Sequence, residues 1–547
     1  MNMELTRRSF LVGAAALGGT LGLGTLASCS SGEAKPQDNG TWDKEADLVV
    51  VGGGTGQAAA IAGAAAGMSV ILIEARDMVG GAMAYSGGNA WLANTSFSQE
   101  NGDSYEFAKK YLDHMQMGMD NEELVVAYLN NTQRVVDVLT ENGVNIQPLP
   151  RNGQYQPNWE GADVIGRSCQ VMGDNDGSDV SEAGGSRLNS ALSTACSNLG
   201  VEVLTKTRGR RLITSRASSD AVPEVIGVVA EDKKGEIRIK ANKGVILATG
   251  GFEWNEKLVE KYVRVPLKYG LSWPENIGDG LLMVQSVGAD LNLMPHTFGM
   301  PCFQVHGEYA RENGQIMSMA GNAARSNPGS IIVDQNARRF CREDSSYMSI
   351  NNTFGGYNNF GDEGYAADPA WWICDQLCYD QNGGPTGTCA SWGYPVPDIP
   401  EEDYVHKADT LEELAEQIGI SGDQLVRTVE EYNLHAKDGK DPLFHRGEVG
   451  TAGQPAFALQ TLEQPPYYAV AINAGCCGTI GGPQLNGNAQ VMHVSGEPIK
   501  GLYAMGNCAG VGGPGPSYGG EGGTIGPAFV FGVIAVDHMA SQSDQSA

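Results

Sequence analysis

Residues 46–51 are almost purely apolar, 52–56 are four glycines and a threonine, 57–66 are mostly alanine, and 69–73 turn apolar again. Continuous apolar runs of this length suit parallel strands buried on both faces. The pattern therefore predicts a strand, a glycine loop, a helix and a second strand. Gly52 and Gly54 fit the dinucleotide-binding fingerprint, while its last glycine falls one place early, at Gly56, before Gln57. Glu74 ends the second strand. An acidic side chain about 20 residues beyond such glycines is placed to accept hydrogen bonds from a ribose.

Further along, 104–142 has helical periodicity, and 192–245 mixes a helix with strands at 201–204 and 225–229. Another apolar strand, at 243–248, runs into Thr249, Gly250, Gly251 and Phe252. From about 266 to 452 the chain is richer in Asn, Tyr, Trp and irregular polar stretches, with helices expected at 411–418 and 421–436. Parallel-strand character returns at 467–472 and 502–505, and a last helix is expected at 525–540. The reading is an α/β chain. A Rossmann-like domain is split between 45–265 and 453–541, with an α+β cap inserted at 266–452.

A second glycine-rich segment closes the chain. Gly501-Leu-Tyr-Ala-Met-Gly-Asn507 reads as a strand and turn, and Ser517-Tyr-Gly-Gly-Glu-Gly-Gly-Thr-Ile-Gly-Pro527 as a loop leading into a helix near Thr524 and Ile525. Helix N-termini offer unpaired N–H groups and partial positive charge, and glycines let the backbone approach a flat ring. One phenol, Tyr518, stands in the middle. Together the two glycine segments suggest one flavin site closed by both ends of the chain.

Composition narrows the function. Hydrophobic residues make up 41% of the 547-residue chain, enough for a large packed core. Lys+Arg number 36 against 64 Asp+Glu, a net charge of −28, which argues against nucleic acid as a partner. Thr6-Arg-Arg-Ser-Phe-Leu11, the apolar run to Leu26 and Leu26-Ala-Ser-Cys29 resemble a twin-arginine lipoprotein signal, with 30–44 as a tether. That predicts export of a folded, cofactor-loaded protein held to the outer face of the cytoplasmic membrane only through a lipidated Cys29. Eleven cysteines include a loose group at Cys374, Cys378 and Cys389 and a pair at Cys476 and Cys477. Their spacing is not that of a zinc ribbon, a ferredoxin or a haem attachment site, so no metal is expected and buried thiols are.

The order of motifs resembles the fumarate reductase and 3-ketosteroid dehydrogenase superfamily of FAD enzymes. Glu74, Gly80-Gly81, Ser86-Gly87-Gly88, Ala248-Thr-Gly-Gly-Phe252, Gly278-Asp-Gly280, Ile331-Ile-Val-Asp with Arg339-Phe340 and Glu343, Gly481-Gly482 and Gly501-Leu-Tyr-Ala504 follow in that superfamily's sequence. The resemblance implies FAD as cofactor. It places contacts to FAD at Gly52, Gly54, Thr55, Gly56, Glu74, Ala75, Gly81, Ser86, Gly87 and Gly88. Further contacts fall at Thr249, Gly250, Asp279, Gly506, Asn507, Thr524 and Ile525.

Two positions separate the branches. Where fumarate reductases carry a proton-donating arginine, four residues after Glu343, this chain has Tyr347, and where they carry a carboxylate clamp it has Tyr518. A desolvated dicarboxylate needs charged, bidentate partners, which phenols cannot supply. In 3-ketosteroid Δ1-dehydrogenases both places are tyrosines, and their C-terminal run resembles Tyr518–Pro527, except that Gly519 and Glu521 stand where prolines are usual. The resemblance implies that Tyr518 and the Gly522 N–H polarise a ketone and that Tyr347 handles the proton on the neighbouring carbon. The expected substrate is a small apolar enone. A phenol starts protonated at neutral pH, which favours reduction, with electrons from a separate cytochrome or quinone-linked carrier. Two other readings stay open. One is a reductase of a fumarate-, urocanate- or cinnamate-like acid bound through Arg311, Arg325 or Arg342; the other is a flavin-binding protein without turnover. Tyr128 and His296 are further pocket candidates; Tyr128 lies in a helical stretch, where core packing is the favoured reading, and an ordinary satisfied histidine is an equal reading for His296. Phe298, Phe303, Trp371 and Trp372 are candidate lining aromatics.

Overall fold

The computed structural model describes residues 40–544 apart from 120, 173–183, 217, 219–220, 306–310, 313–314, 317, 322–323, 359–363, 392–398, 449–458 and 513. The expected signal and Cys29 lie outside the described residues, as does most of the tether.

The apolar run at the start forms the strand Lys44–Val51, which pairs in parallel with Val70–Ile73 on one side and Gly235–Leu247 on the other. Glu202–Leu204 extends the parallel sheet beyond Val70–Ile73, and Pro498–Ala504 extends it beyond Gly235–Leu247. Strands more than four hundred residues apart in sequence thus share one sheet. Between the first two strands runs the helix Gly56–Ala65, with every residue from Gly56 to Gly63 buried. Its alanines let the C-terminal helix Ile525–Asp544 lie against it. The mean contribution of such burial is about 25 cal/mol per Å² of apolar surface. The packing of these two helices over the sheet is what fixes the glycine loops at its edge. Among the described residues no helix is long and apolar enough to cross a membrane.

A second, antiparallel sheet is built around Tyr467–Asn473, flanked by Ala370–Asp375 and by Cys302–Gln304. This corrects the expectation that 467–472 resumes the parallel sheet, and the second sheet therefore reaches past the expected cap end at 452. The reason is visible in the strand's own residues. Tyr468, Val470 and Ile472 pack into one hydrophobic cluster, and Ala469 and Ala471 into another. A run apolar on both faces signals a strand covered on both sides, whatever its direction. The start of the expected cap differs too. The helix Asp279–Ser286 places Leu281, Met283 and Val284 in the core of the first sheet. Both expected cap helices form, as Leu411–Ile418 and Gly422–Ala436.

A buried ion pair ties the layer beneath the C-terminal glycine segment. Arg167 Nε donates to Asp103 at 3.0 Å, and both side chains are wholly buried. Burial pushes the Asp103 carboxyl up, but the bonds and charge of Arg167 outweigh it and hold the group below the usual carboxylate range. Asp103→Asn strands the guanidinium, and about 3–5 kcal/mol of unfolding free energy is lost, read by urea melts of the holoprotein. A carboxyl with a depressed folded pKa contributes fully above its unfolded value, about 4, and less as pH falls through the folded value. The deficit of the variant therefore shrinks in acid.

Candidate active site

A cavity of about 1040 Å³ runs between the two sheets. One end is built by the expected glycine loops. Gly52, Gly54 and Thr55 line it, as do Glu74, Ala75, Gly81, Ser86, Gly87 and Gly88. Glu74 accepts the Gly53 N–H at 2.8 Å and the Arg76 N–H at 2.9 Å, so its carboxylate is oriented by the loop it faces. Gly52 has φ +113°, and a Cβ there would lie 2.2 Å from the Ala248 carbonyl; only glycine fits. Gly56 departs from expectation. It does not line the cavity, and a Cβ there would press within 3.0 Å of Val50 and Ala248 side chains. The missing side chain lets the helix sit down on the strands.

Thr249, Gly250, Asp279, Gly506, Asn507, Thr524 and Ile525 line the same cavity. Thr249 accepts the Gly280 N–H at 3.1 Å, and Asp279 pairs with Arg208 at 2.7 Å. Several lining residues escaped the sequence reading. Arg76 lies 3.5 Å over the Trp273 ring, Tyr85 stacks on that ring with centroids 5.0 Å apart, and Trp254 lies nearby. Tyr85 ends the short 3-10 turn Gly81–Tyr85 and the others sit on irregular loops, so no periodicity flags them. Buried polar atoms on lining residues that lack hydrogen-bond partners among the described residues include Asn89 Oδ1, Arg208 Nε and Trp273 Nε1. Glycine walls open to a flat ring, a ribose-facing carboxylate and unmet polar atoms are what FAD requires, and the cavity fits it.

Three phenols meet at the cavity wall. The Tyr347 and Tyr518 ring centroids are 5.4 Å apart, and Tyr155 sits 5.2 Å from Tyr347 and 5.3 Å from Tyr518. Tyr347 is brought there as the first residue of the helix Tyr347–Thr353, capped by Ser346, whose hydroxyl accepts the Ser349 N–H. Tyr518 lies in the C-terminal glycine segment, with Phe298 edge-on to its ring at 5.4 Å. Gly522 lines the cavity four residues on. Its φ is +89°, and a Cβ would come within 2.5 Å of the Asn89 backbone.

Tyr155 was missed because it sits in a polar loop, 151–156. That loop is zipped to the glycine segment by a Gln154–Gly520 bridge, by the Tyr155 N–H to the Gly519 carbonyl at 2.9 Å, and by the Glu521 N–H to the Gly153 carbonyl at 2.8 Å. Glu521 receives Arg151 Nε at 3.2 Å and Nη2 at 2.7 Å. Both lie on the cavity wall.

Other candidates fall elsewhere. Tyr128 is fully buried, stacks on Trp91 and donates to its carbonyl, and is a packing residue. His296 does not line the cavity; burial and the charge of Arg264 lower its pKa. Phe303, Trp371 and Trp372 are buried in the clusters of the second sheet, and of the four aromatics only Phe298 touches the tyrosines. Arg342 is engaged by Asp344, and the Arg311 side chain lies outside the described residues. Arg325 does line the cavity and donates to the Ser345 carbonyl at 2.7 Å. Glu343 is held by Arg339, which also bonds Asp441 at 3.0 Å. Among the described residues no group of His, Cys, Asp and Glu is arranged to hold a metal ion. Cys374, Cys378 and Cys389 are buried free thiols, and burial pushes Cys477, at the cavity wall, up to about 12.

Residues 47–525 match the model of the FAD-binding domain family, and the chain belongs to that family. It is an FAD-dependent oxidoreductase of CH–CH bonds. The 4-oxocyclohexanecarboxylate 2-dehydrogenase of Sinomonas cyclohexanicum is 32% identical, across 91% of this chain and 93% of that protein. The 3-oxosteroid 1-dehydrogenase of Mycobacterium tuberculosis strain H37Rv is 30% identical, across 91% and 99%. Among solved structures, the 3-ketosteroid Δ1-dehydrogenase of Sterolibacterium denitrificans, in complex with 1,4-androstadiene-3,17-dione, superposes with a TM-score of 0.79 at 27% identity, covering 91% of this chain and all of that one.

Proposed function

We propose that this chain makes or saturates a C=C bond conjugated to a ketone, and that it works as a reductase. The meeting of Tyr347 and Tyr518 on one cavity wall, with Gly522 close by in the chain, carries this reading. Tyr518 O–H and the Gly522 N–H donate to the ketone oxygen and stabilise the charge that grows there, as an oxyanion hole does. Tyr347 holds the proton exchanged at the carbon next to the carbonyl. FAD, when bound, supplies hydride exchange at the carbon beyond. Phe298 and the buried second sheet keep water from the tyrosines. The names of the two dehydrogenase relatives are those of enzymes for ring ketones, which supports a cyclic enone here.

The direction rests on chemistry and on the N-terminus. A phenol is protonated at neutral pH and gives a proton more readily than it takes one. Arg7 and Arg8, the apolar run and Cys29 support an exported, lipid-anchored enzyme, fed by a separate membrane-linked electron carrier. The second reading, an unsaturated acid, is favoured by one observation: Arg325 lies on the cavity wall and donates to the carbonyl of Ser345, two residues before Tyr347. A turnover assay with reduced viologen as donor separates the readings. A bulky neutral enone is expected to be reduced and a cinnamate-like acid left unchanged. The opposite result moves the site to Arg325, and bound flavin that neither compound reoxidises leaves only a binding role.

A further inference from the structure

Glu521 is the one carboxylate in the C-terminal glycine segment, next to Gly522. Its side chain is 16% exposed, so bulk water screens it poorly. A bare carboxylate there opposes the negative charge that grows on a ketone oxygen at Tyr518 and Gly522, as like charges do at close range in a half-buried site. Three donors answer it. Arg151 Nε reaches Oε1 at 3.2 Å, Arg151 Nη2 reaches Oε2 at 2.7 Å, and Asn89 Nδ2 reaches Oε2 at 3.3 Å. The guanidinium engages both oxygens side-on, the strong geometry for such a pair.

The backbone does not need the pair. The Glu521 N–H is held by the Gly153 carbonyl, its carbonyl accepts from Ser168 Oγ at 3.0 Å, and the Tyr155 N–H is held by Gly519. The loop therefore stays in place when the charge of Arg151 is removed, and what changes is the field.

We infer that Arg151 neutralises Glu521 so that the enolate oxygen forms beside Gly522 without facing an unpaired carboxylate. Arg151 is in this sense a positioning residue for charge, half-exposed at 52% and remote from the reacting carbons. The inference rests on the oxyanion role given above to Tyr518 and Gly522.

The test uses the holoenzyme with Arg151→Gln, Arg151→Lys, Glu521→Gln and the double variant Arg151→Gln/Glu521→Gln. FAD content and thermal melting first show that each is folded. Enone reduction in Arg151→Gln is expected to fall about 10- to 100-fold in kcat. The lysine variant keeps most of the rate, and the double variant recovers to within about threefold of wild type. A purely structural role predicts no such rescue. Calorimetric binding of 4-nitrophenolate, a flat anion with its charge on oxygen, supplies a second readout. Its affinity is expected to fall in Arg151→Gln by a similar factor and to return in the double variant. A double variant as slow and as weak-binding as Arg151→Gln, or an unaffected Arg151→Gln, overturns the inference. If wild type reduces no enone yet nitrophenolate affinity still follows the pair, the field stands and the proposed reaction falls.

Discussion

Tyr347→Phe is expected to lower kcat for enone reduction by about a hundred- to ten-thousand-fold, the range over which a positioned acid or base acts. FAD content is expected to hold, because Tyr347→Phe leaves the glycine loops and Glu74 that line the cofactor end of the cavity unchanged. The change removes one oxygen from a ring that keeps its contacts with Tyr155 and Tyr518. Packing, FAD content and melting temperature should therefore hardly move. The specific sign is isotopic. In heavy water the wild-type enzyme places solvent deuterium on the carbon next to the carbonyl, and the variant does so at the reduced rate. Full turnover in Tyr347→Phe removes this residue from the chemistry.

Tyr518→Phe is the second large effect, about a hundred- to a thousand-fold in kcat, the cost of losing one donor of an oxyanion hole. Its signature differs from that of Tyr347→Phe. The lost interaction strengthens as charge develops, so kcat falls more than KM rises. Phe298 packs edge-on against the ring in either variant, which preserves the wall. Stopped-flow reoxidation of the reduced holoenzyme by an enone measures the step directly. A variant that loses only substrate affinity would recast Tyr518 as a binding contact.

The cofactor end of the site was legible because its requirements are local. A strand, a tight glycine turn and an acidic strand end lie within thirty residues, and the backbone alone makes most of that wall. Tyr347 was legible only through resemblance, since its position carries no periodic or compositional signal, whereas the glycines flanking Tyr518 singled it out and the resemblance supplied its role. Tyr155, Arg151, Trp273 and Arg76 were not legible at all. Each sits on an irregular loop, and each owes its place to a partner far away in sequence: Gly519 and Glu521 for the first two, and each other for the last pair. The misjudged strand at 467–473 fails for a different reason. Burial on both faces leaves the same apolar imprint in parallel and antiparallel sheets, so hydrophobicity reports coverage and not direction. Phe303, Trp371 and Trp372 illustrate the same limit: large aromatics go wherever a core needs volume, and the second sheet needs it between its strands and helices.

The parallel sheet joins Lys44–Val51 to Pro498–Ala504 through Gly235–Leu247. A nascent chain emerging from the ribosome cannot complete that sheet until the strand Pro498–Ala504 and the helix Ile525–Asp544 have been made. Until then the early glycine loop lacks the walls supplied by Gly506, Asn507, Thr524 and Ile525, and flavin acquisition must wait for those residues. Shortened translation products that stop before residue 498 will be colourless, however well their earlier segments fold.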